Sequence, residues 1–274
     1  MLRRQFLIAL GVSMLTACAT TTAPTDHPRG HFVHRELELE GRQYRYQVFV
    51  PLARRQHPGP LPIVLFLHGS GERGGDGYVQ TESGLGPYLR EHATDFPALV
   101  VFPQVPEDEQ WMGVNARMAL ATLDAAGAEF GGDATRTYLT GMSMGGYGTW
   151  EIALMAPERF AALVPICGAL HSPRDDEDQL YVSEVAGARD RYAAVAERLR
   201  EVPVWMFHGA LDDLVPPGDD RRLYKAARLI GADMRYSEYP GGNHNAWDAT
   251  YADARMWQWM FDKRRRIGPA TGSP

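Results

Sequence analysis

Two cysteines in 274 residues are too few for a disulfide framework, so a fold of this size must be held by its core rather than by cross-links. Positive charge is also short. Lys and Arg number 28 against 34 Asp and Glu, a formal net charge of −6, which argues against nucleic acid as a partner. Past the first 17 residues no apolar run approaches the roughly 20 residues that a membrane-spanning helix needs. No repeat of fixed period is present, which argues against solenoid and propeller arrays. The glycine-rich stretch His68-Gly-Ser-Gly-Glu-Arg-Gly-Gly-Asp-Gly77 is not followed by Gly-Lys-Ser/Thr, so it fails as a phosphate cradle. The acidic run Asp175-Asp-Glu-Asp178 reads as a solvated loop, and neither a metal nor a cofactor is expected.

What remains is ordinary globular material, 45% hydrophobic and long enough for one large α/β domain. The N-terminus stands apart. Met1-Leu-Arg-Arg-Gln is basic, Phe6 to Leu15 is mostly apolar, and Leu15-Thr-Ala-Cys18 places small residues before a cysteine, the pattern of an export signal. Those four residues resemble the lipobox of bacterial lipoproteins. The likeness implies cleavage after residue 17, lipidation of Cys18, and a membrane contact through that anchor alone, on the periplasmic or outer-membrane side. Arg3-Arg4-Gln5-Phe6-Leu7 also resembles a twin-arginine signal. Residues 18–30 read as a tether, 31–266 as the folded domain and 267–274 as a frayed tail. Cys167, in an apolar run, is expected to be a small core residue.

Within the domain the pattern alternates from His31 to Val50 around Gly41, which predicts two antiparallel strands at a sheet edge. Continuous apolar runs at Ile63–Leu67, Ala98–Phe102, Leu163–Cys167 and Val202–Phe207 predict buried strands, and Met234–Tyr239 a further one. Helical periods at Val114–Phe130, Tyr147–Ala156, Asp219–Ile230 and Tyr251–Lys263 fall between or after them. Such a βαβ rhythm predicts a mostly parallel sheet with helices on both faces. Residues 169–200 exceed a simple connection and include the amphipathic Tyr192–Leu199, so they are a candidate cap over a pocket.

Thr140-Gly-Met-Ser-Met-Gly-Gly146 follows the short strand Arg136–Thr140 and opens a helix. A serine between glycines in that context is a nucleophile elbow, in which Ser143 projects alone at the end of a strand. A nucleophilic serine needs a base and an acid that orients the base, here expected after the nucleophile in the order acid, then histidine. His208-Gly-Ala-Leu-Asp212-Asp213 follows a buried strand, and Tyr239-Pro-Gly-Gly-Asn-His244-Asn-Ala-Trp247 lies between the last strand and helix. His244 is the base by order, since the other histidines precede the serine, follow it too closely, or precede the acid. Adjacent aspartates point in different directions, so one of Asp212 and Asp213 reaches the imidazole, and Asp212 is favoured.

Taken together, Leu67-His-Gly-Ser-Gly-Glu-Arg-Gly74, Tyr138–Trp150, Pro165–Gly168, Phe207–Pro216 and His244-Asn-Ala-Trp247 resemble an α/β-hydrolase group of dienelactone-hydrolase and prolyl-oligopeptidase-like type, often called predicted peptidases. The likeness runs from about Gly41 to Lys263. It implies an α/β-hydrolase fold, a triad of Ser143, Asp212 and His244, and an oxyanion hole from the N–H groups of Met144 and Ser70. Where many members have proline after the acid, this chain has Asp213. Trp111 and Trp247 are candidate pocket residues. The expected reaction is hydrolysis of a small-molecule or polysaccharide-linked carboxylic ester through an acyl-enzyme. A prolyl-oligopeptidase-like peptidase is the alternative among enzymes, although this length leaves no room for a propeller domain. A non-catalytic binding lipoprotein is the alternative of another class, and its sign would be a broken triad.

Overall fold

The computed structural model describes residues 29–56, 59–172 and 181–265. The expected export signal, Cys18, most of the expected tether, the acidic run and the expected tail lie outside them. The chain runs β1 (His31–Leu39), β2 (Arg42–Val50), α1 (Ala53–Gln56), β3 (Leu61–Leu67), α2 (Leu85–Glu91), β4 (Leu99–Pro103), α3 (Val114–Phe130), β5 (Gly132–Met142), α4 (Met144–Met155), β6 (Ala162–Ile166), α5 (Arg191–Arg198), β7 (Val204–Gly209), α6 (Gly218–Ile230), β8 (Met234–Tyr239), α7 (Trp247–Tyr251) and α8 (Ala254–Phe261). The eight strands form one sheet in the order β1-β2-β4-β3-β5-β6-β7-β8. β1 and β2 are antiparallel and β2 runs antiparallel to β4, whereas β3 to β8 pair in parallel. This is the expected α/β-hydrolase architecture with its antiparallel N-terminal edge.

The pleat of β3 explains the layers. Ile63, Leu65 and Leu67 join a core with Met118 and Leu123 of α3, Ile152 of α4, Val195 of α5 and Leu223 of α6. Val64 and Phe66 point the other way, into a core with Leu85 and Leu89 of α2, Tyr251 of α7 and Met256 and Trp257 of α8. A strand buried on both faces has no polar positions to alternate, hence its unbroken apolar run.

Two expectations are corrected in detail. The closing helix is two: α7 ends at Tyr251 and α8 starts at Ala254, because the Asp253 side chain accepts from Arg255 N–H and caps a new helix. β5 begins at Gly132, four residues before the predicted strand, its early part joining β3 through a register shift between Leu61 and Ile63.

Leu65 has no exposed surface, whereas Leu229 of α6 is 79% exposed. Leu65→Ala is therefore expected to cost about 2–5 kcal/mol by the lost burial and the cavity left behind, and Leu229→Ala less than about 0.5 kcal/mol. Urea unfolding of both variants checks the contrast.

Candidate active site

The loops that leave β3, β5, β7 and β8 meet at the C-terminal edge of the parallel strands, where open α/β sheets collect ligands. Ser143 stands between β5 and α4 with φ 55° and ψ −119°, a backbone that costs a non-glycine residue about 1–3 kcal/mol and persists only where its surroundings impose it. They do. A Cβ on Gly145 would lie 1.9 Å from Leu67 O, and one on Gly141 2.2 Å from Gly145 O. Only bare glycine lets α4 press against the ends of β3 and β5, and this close approach, with Ser143 N–H donating to Ile166 O at 3.0 Å, fixes the turn.

The half-buried Ser143 Oγ donates to His244 Nε2 at 2.8 Å, and His244 Nδ1 donates to Asp212 Oδ2 at 2.7 Å. Asp212 lies in the loop after β7 with a fully buried side chain, and its Oδ1 accepts from the N–H groups of Leu214 and Val215 at 3.0 and 2.9 Å. Asp213 is exposed, so of the two aspartates it is Asp212 that faces the imidazole. Burial alone would raise the Asp212 carboxyl, yet the hydrogen bonds from His208, His244 and Val215 hold it well below the usual carboxylate range. An ionised carboxylate keeps the Nδ1 proton on the ring and leaves Nε2 free to accept from serine.

The loops carrying acid and base are tied to each other. Ala210 N–H donates to Tyr239 O at 2.9 Å and Leu211 N–H to Gly242 O at 2.8 Å. A Cβ on Gly209 would fall 2.1 Å from Asn243 O, so the two backbones touch.

Two histidines that sequence order discounts as bases support the site. His208 is fully buried beneath Asp212: its Nδ1 is 2.8 Å from Asp220 Oδ2, and its Nε2 is 2.8 Å from Val215 O and 3.3 Å from Asp212 Oδ2. Burial pushes this imidazole down, but its bonds to Asp212 and Asp220 outweigh that and raise it to about 10, so it is a cation. Burial in turn pushes the Asp220 carboxyl up, against the pull of His208. His68 is the reverse case. Its Nε2 accepts from Val105 N–H at 3.0 Å and its Nδ1 bonds Gly69 O at 2.6 Å, while burial lowers it to about 4 and keeps it neutral. A trans peptide sets N–H and C=O on opposite sides, so drawing Gly69 O inward turns the N–H of Ser70 outward. Their signal was their place at the C-terminal ends of β7 and β3, next to the loops they brace.

Ser70, Arg73, Ser143, Met144, Tyr147 and Tyr181 help to line one cleft of about 250 Å³. Met144 opens α4, where the first N–H groups have no intrahelical acceptor. Tyr181 comes from the candidate cap, which α4 anchors: the buried Glu151 carboxylate accepts from Ser183 N–H at 2.7 Å. Trp111 is not in this cleft. It is 1% exposed and donates to His68 O at 3.0 Å, a core residue behind the Ser70 loop. Trp247 is half-buried with its ring edge-on to His244, 5.5 Å between centroids. Cys167 is buried in the core as expected, with Sγ within 4.8 Å of ligand atoms of Asp212 and His244. Burial raises its thiol well above the ordinary range, so it stays protonated.

A family model described as the prolyl oligopeptidase family matches residues 108–264, more than half of the chain and all three of Ser143, Asp212 and His244. The chain belongs to the prolyl oligopeptidase family. Among solved structures this family member is similar to a thermostable esterase, at 29% identity and a TM-score of 0.68 over 85% of this chain and 63% of that one. It is 24% identical over 204 residues to a protein of Arthroderma benhamiae described as an uncharacterized secreted protein, covering 67% of this chain and 21% of the relative. It is 34% identical over 110 residues to a 2-hydroxy-6-oxononadienedioate/2-hydroxy-6-oxononatrienedioate hydrolase of Comamonas testosteroni, covering 39% and 36%. The chain thus spans less than two thirds of the length of each of these proteins.

The raised His208 contributes stability that is complete below its ordinary value of 6.5 and is lost as pH rises through about 10. Thermal unfolding from pH 6 to 11 should show this alkaline loss in the wild type and a flatter profile in His208→Gln. At pH 7 the variant should be destabilised by about 3–5 kcal/mol, the cost of a buried ion pair broken on one side.

Proposed function

We propose that this protein is a serine hydrolase that cleaves carboxylic esters, with Ser143 as nucleophile, His244 as general base and acid, and Asp212 as the group that orients the imidazole. The observation that carries the reading is the unbroken line of hydrogen bonds from Ser143 Oγ through His244 to Asp212. The esterase relative supports an ester as substrate.

His244 Nε2 takes the Ser143 Oγ proton as the Oγ–carbon bond forms at the substrate carbonyl, and the carbonyl electrons move onto oxygen. Met144 N–H and the outward-turned Ser70 N–H hold that oxyanion; a donor of this kind is worth about 3–4 kcal/mol. The ester carbon–oxygen bond then breaks, and the leaving alkoxide takes the proton from His244. Water attacks the acyl-enzyme, gives its proton to Nε2, and the acid leaves as Ser143 recovers that proton. The imidazolium formed in each half-reaction faces the Asp212 carboxylate, which stabilises it.

A peptidase is the second reading, favoured by the family match over residues 108–264, since the same groups attack amides. Rates on short-chain aryl esters and on a peptide panel decide between the two. For location we propose export with a lipid on Cys18, in keeping with a relative described as secreted; no helix among the described residues is long and apolar enough to cross a membrane.

A fluorophosphonate probe should label the intact protein and leave Ser143→Ala unlabelled, and that variant should lose at least about 10³-fold in kcat on a short-chain aryl ester. Labelling that persists in Ser143→Ala would sink the assignment. Radiolabelled palmitate fed to bacteria expressing the full chain should enter the wild type and not Cys18→Ser; equal incorporation would rule out Cys18 as the anchor.

A further inference from the structure

The cleft beside Ser143 holds two polar groups without partners among the described residues. Arg73, half-buried in the loop after Ser70, has its Nε wholly buried with no hydrogen-bond partner among the described residues. No ion pair joins its guanidinium to any described carboxylate. Two acids are near. Asp108 lines the same cleft but is exposed and unpaired with Arg73, and burial pushes the neighbouring Glu72 carboxyl up, towards its neutral form. The second group is Tyr147, 4% exposed, whose hydroxyl is buried without a partner among the described residues. Tyr181 packs edge-on against its ring at 5.4 Å between centroids, so the phenol is fixed in the wall. A buried donor left unpaired costs as much as a lost hydrogen bond, and a half-buried guanidinium without an anion adds a charge penalty. Two such costs in the wall of one cleft are offset when a ligand supplies the missing acceptor, and the acceptor that suits a planar cation is a carboxylate.

We infer that the substrate carries a free carboxylate on the part that enters this cleft, held by Arg73 with the Tyr147 hydroxyl as a second donor, so that the enzyme prefers acidic half-esters to neutral diesters. The inference rests on the proposed ester hydrolysis at Ser143 and specifies its substrate class. Sequence order places Arg73 three residues after Ser70, so the loop that supplies the oxyanion donor would also select the acid.

Two matched pairs of esters test it: mono-methyl against dimethyl glutarate, with the carboxylate on the acid side, and the acetyl esters of 4-hydroxybenzoate and of methyl 4-hydroxybenzoate, with it on the alcohol side. In at least one pair the wild type should favour the anionic member in kcat/KM. Arg73→Gln should lower that value roughly ten- to hundredfold while changing the neutral member by less than about threefold. Tyr147→Phe should show a smaller loss of the same selectivity, and Arg73→Lys should keep part of it. No preference in either pair, or an equal fall on anionic and neutral esters in Arg73→Gln, overturns the proposal. Calorimetric titration of the same four esters onto Ser143→Ala reads recognition without turnover. Anion-selective binding there that Arg73→Gln abolishes would uphold the inference even if hydrolysis proved not to depend on Ser143; equal binding of both members in both pairs would overturn it even if hydrolysis did.

Discussion

A carboxylate with no exposed side-chain surface sets the terms for the rest of the site. Asp212 takes hydrogen bonds from His244 and from two backbone N–H groups, and a buried cationic histidine lies 3.3 Å from it. Each has its own structural source: the loop after β8, the turn that follows Asp212 itself, and the last turn of β7. Were the acid solvated, it would need none of them. Because it is buried, all are required to keep it charged, and its charge is what fixes the tautomer of His244. Asp220, at the start of α6, in turn supplies an anion for His208. The Ser143–His244 contact thus rests on an alternation of charge reaching into the core below the sheet edge.

The topology explains why these groups meet. In the order β1-β2-β4-β3-β5-β6-β7-β8, Ser143 follows a central strand, the Ser70 loop leaves its neighbour on one side, and the loops carrying Asp212 and His244 leave the two outermost strands on the other. β1, β2 and β4 lend no side chain to the relay. They bury the far flank of β3, whose two-faced packing holds the Ser70 loop and the carbonyl of Leu67 against which Gly145 is pressed.

Much of this was legible in the chain. Fully buried strands announce themselves as apolar runs, and Ile63–Leu67, Leu163–Cys167 and Val202–Phe207 fall within about two residues of β3, β6 and β7. α3 matched its helical period, Val114–Phe130, end to end. The elbow and the order of acid and histidine are local patterns with a mechanical cause, so Ser143, Asp212 and His244 could be named before their distances. What the chain concealed depends on tertiary surroundings. α2 is a seven-residue helix with glycine and proline in its first turns, too short for a period to show. Asp253 looks like one more polar residue until its side chain is seen capping α8. Trp111 could have faced either core or cleft, and its indole went to His68. Sequence order speaks to His68 and His208 only as candidate bases, whereas burial and their partners give one a neutral ring and the other a positive charge.

The contact between the Gly209 and Asn243 backbones makes the loops of Asp212 and His244 a single mechanical piece. Main-chain bonds from Ala210 and Leu211 to the last residues before His244 leave those two loops little freedom to part, while Ser143 belongs to a separate piece clamped by Gly141, Gly145 and Leu67. The line from Ser143 to Asp212 is therefore two stiff bodies meeting at one 2.8 Å bond between serine and histidine. That bond joins two side chains, whereas the ties inside each body also run through backbone.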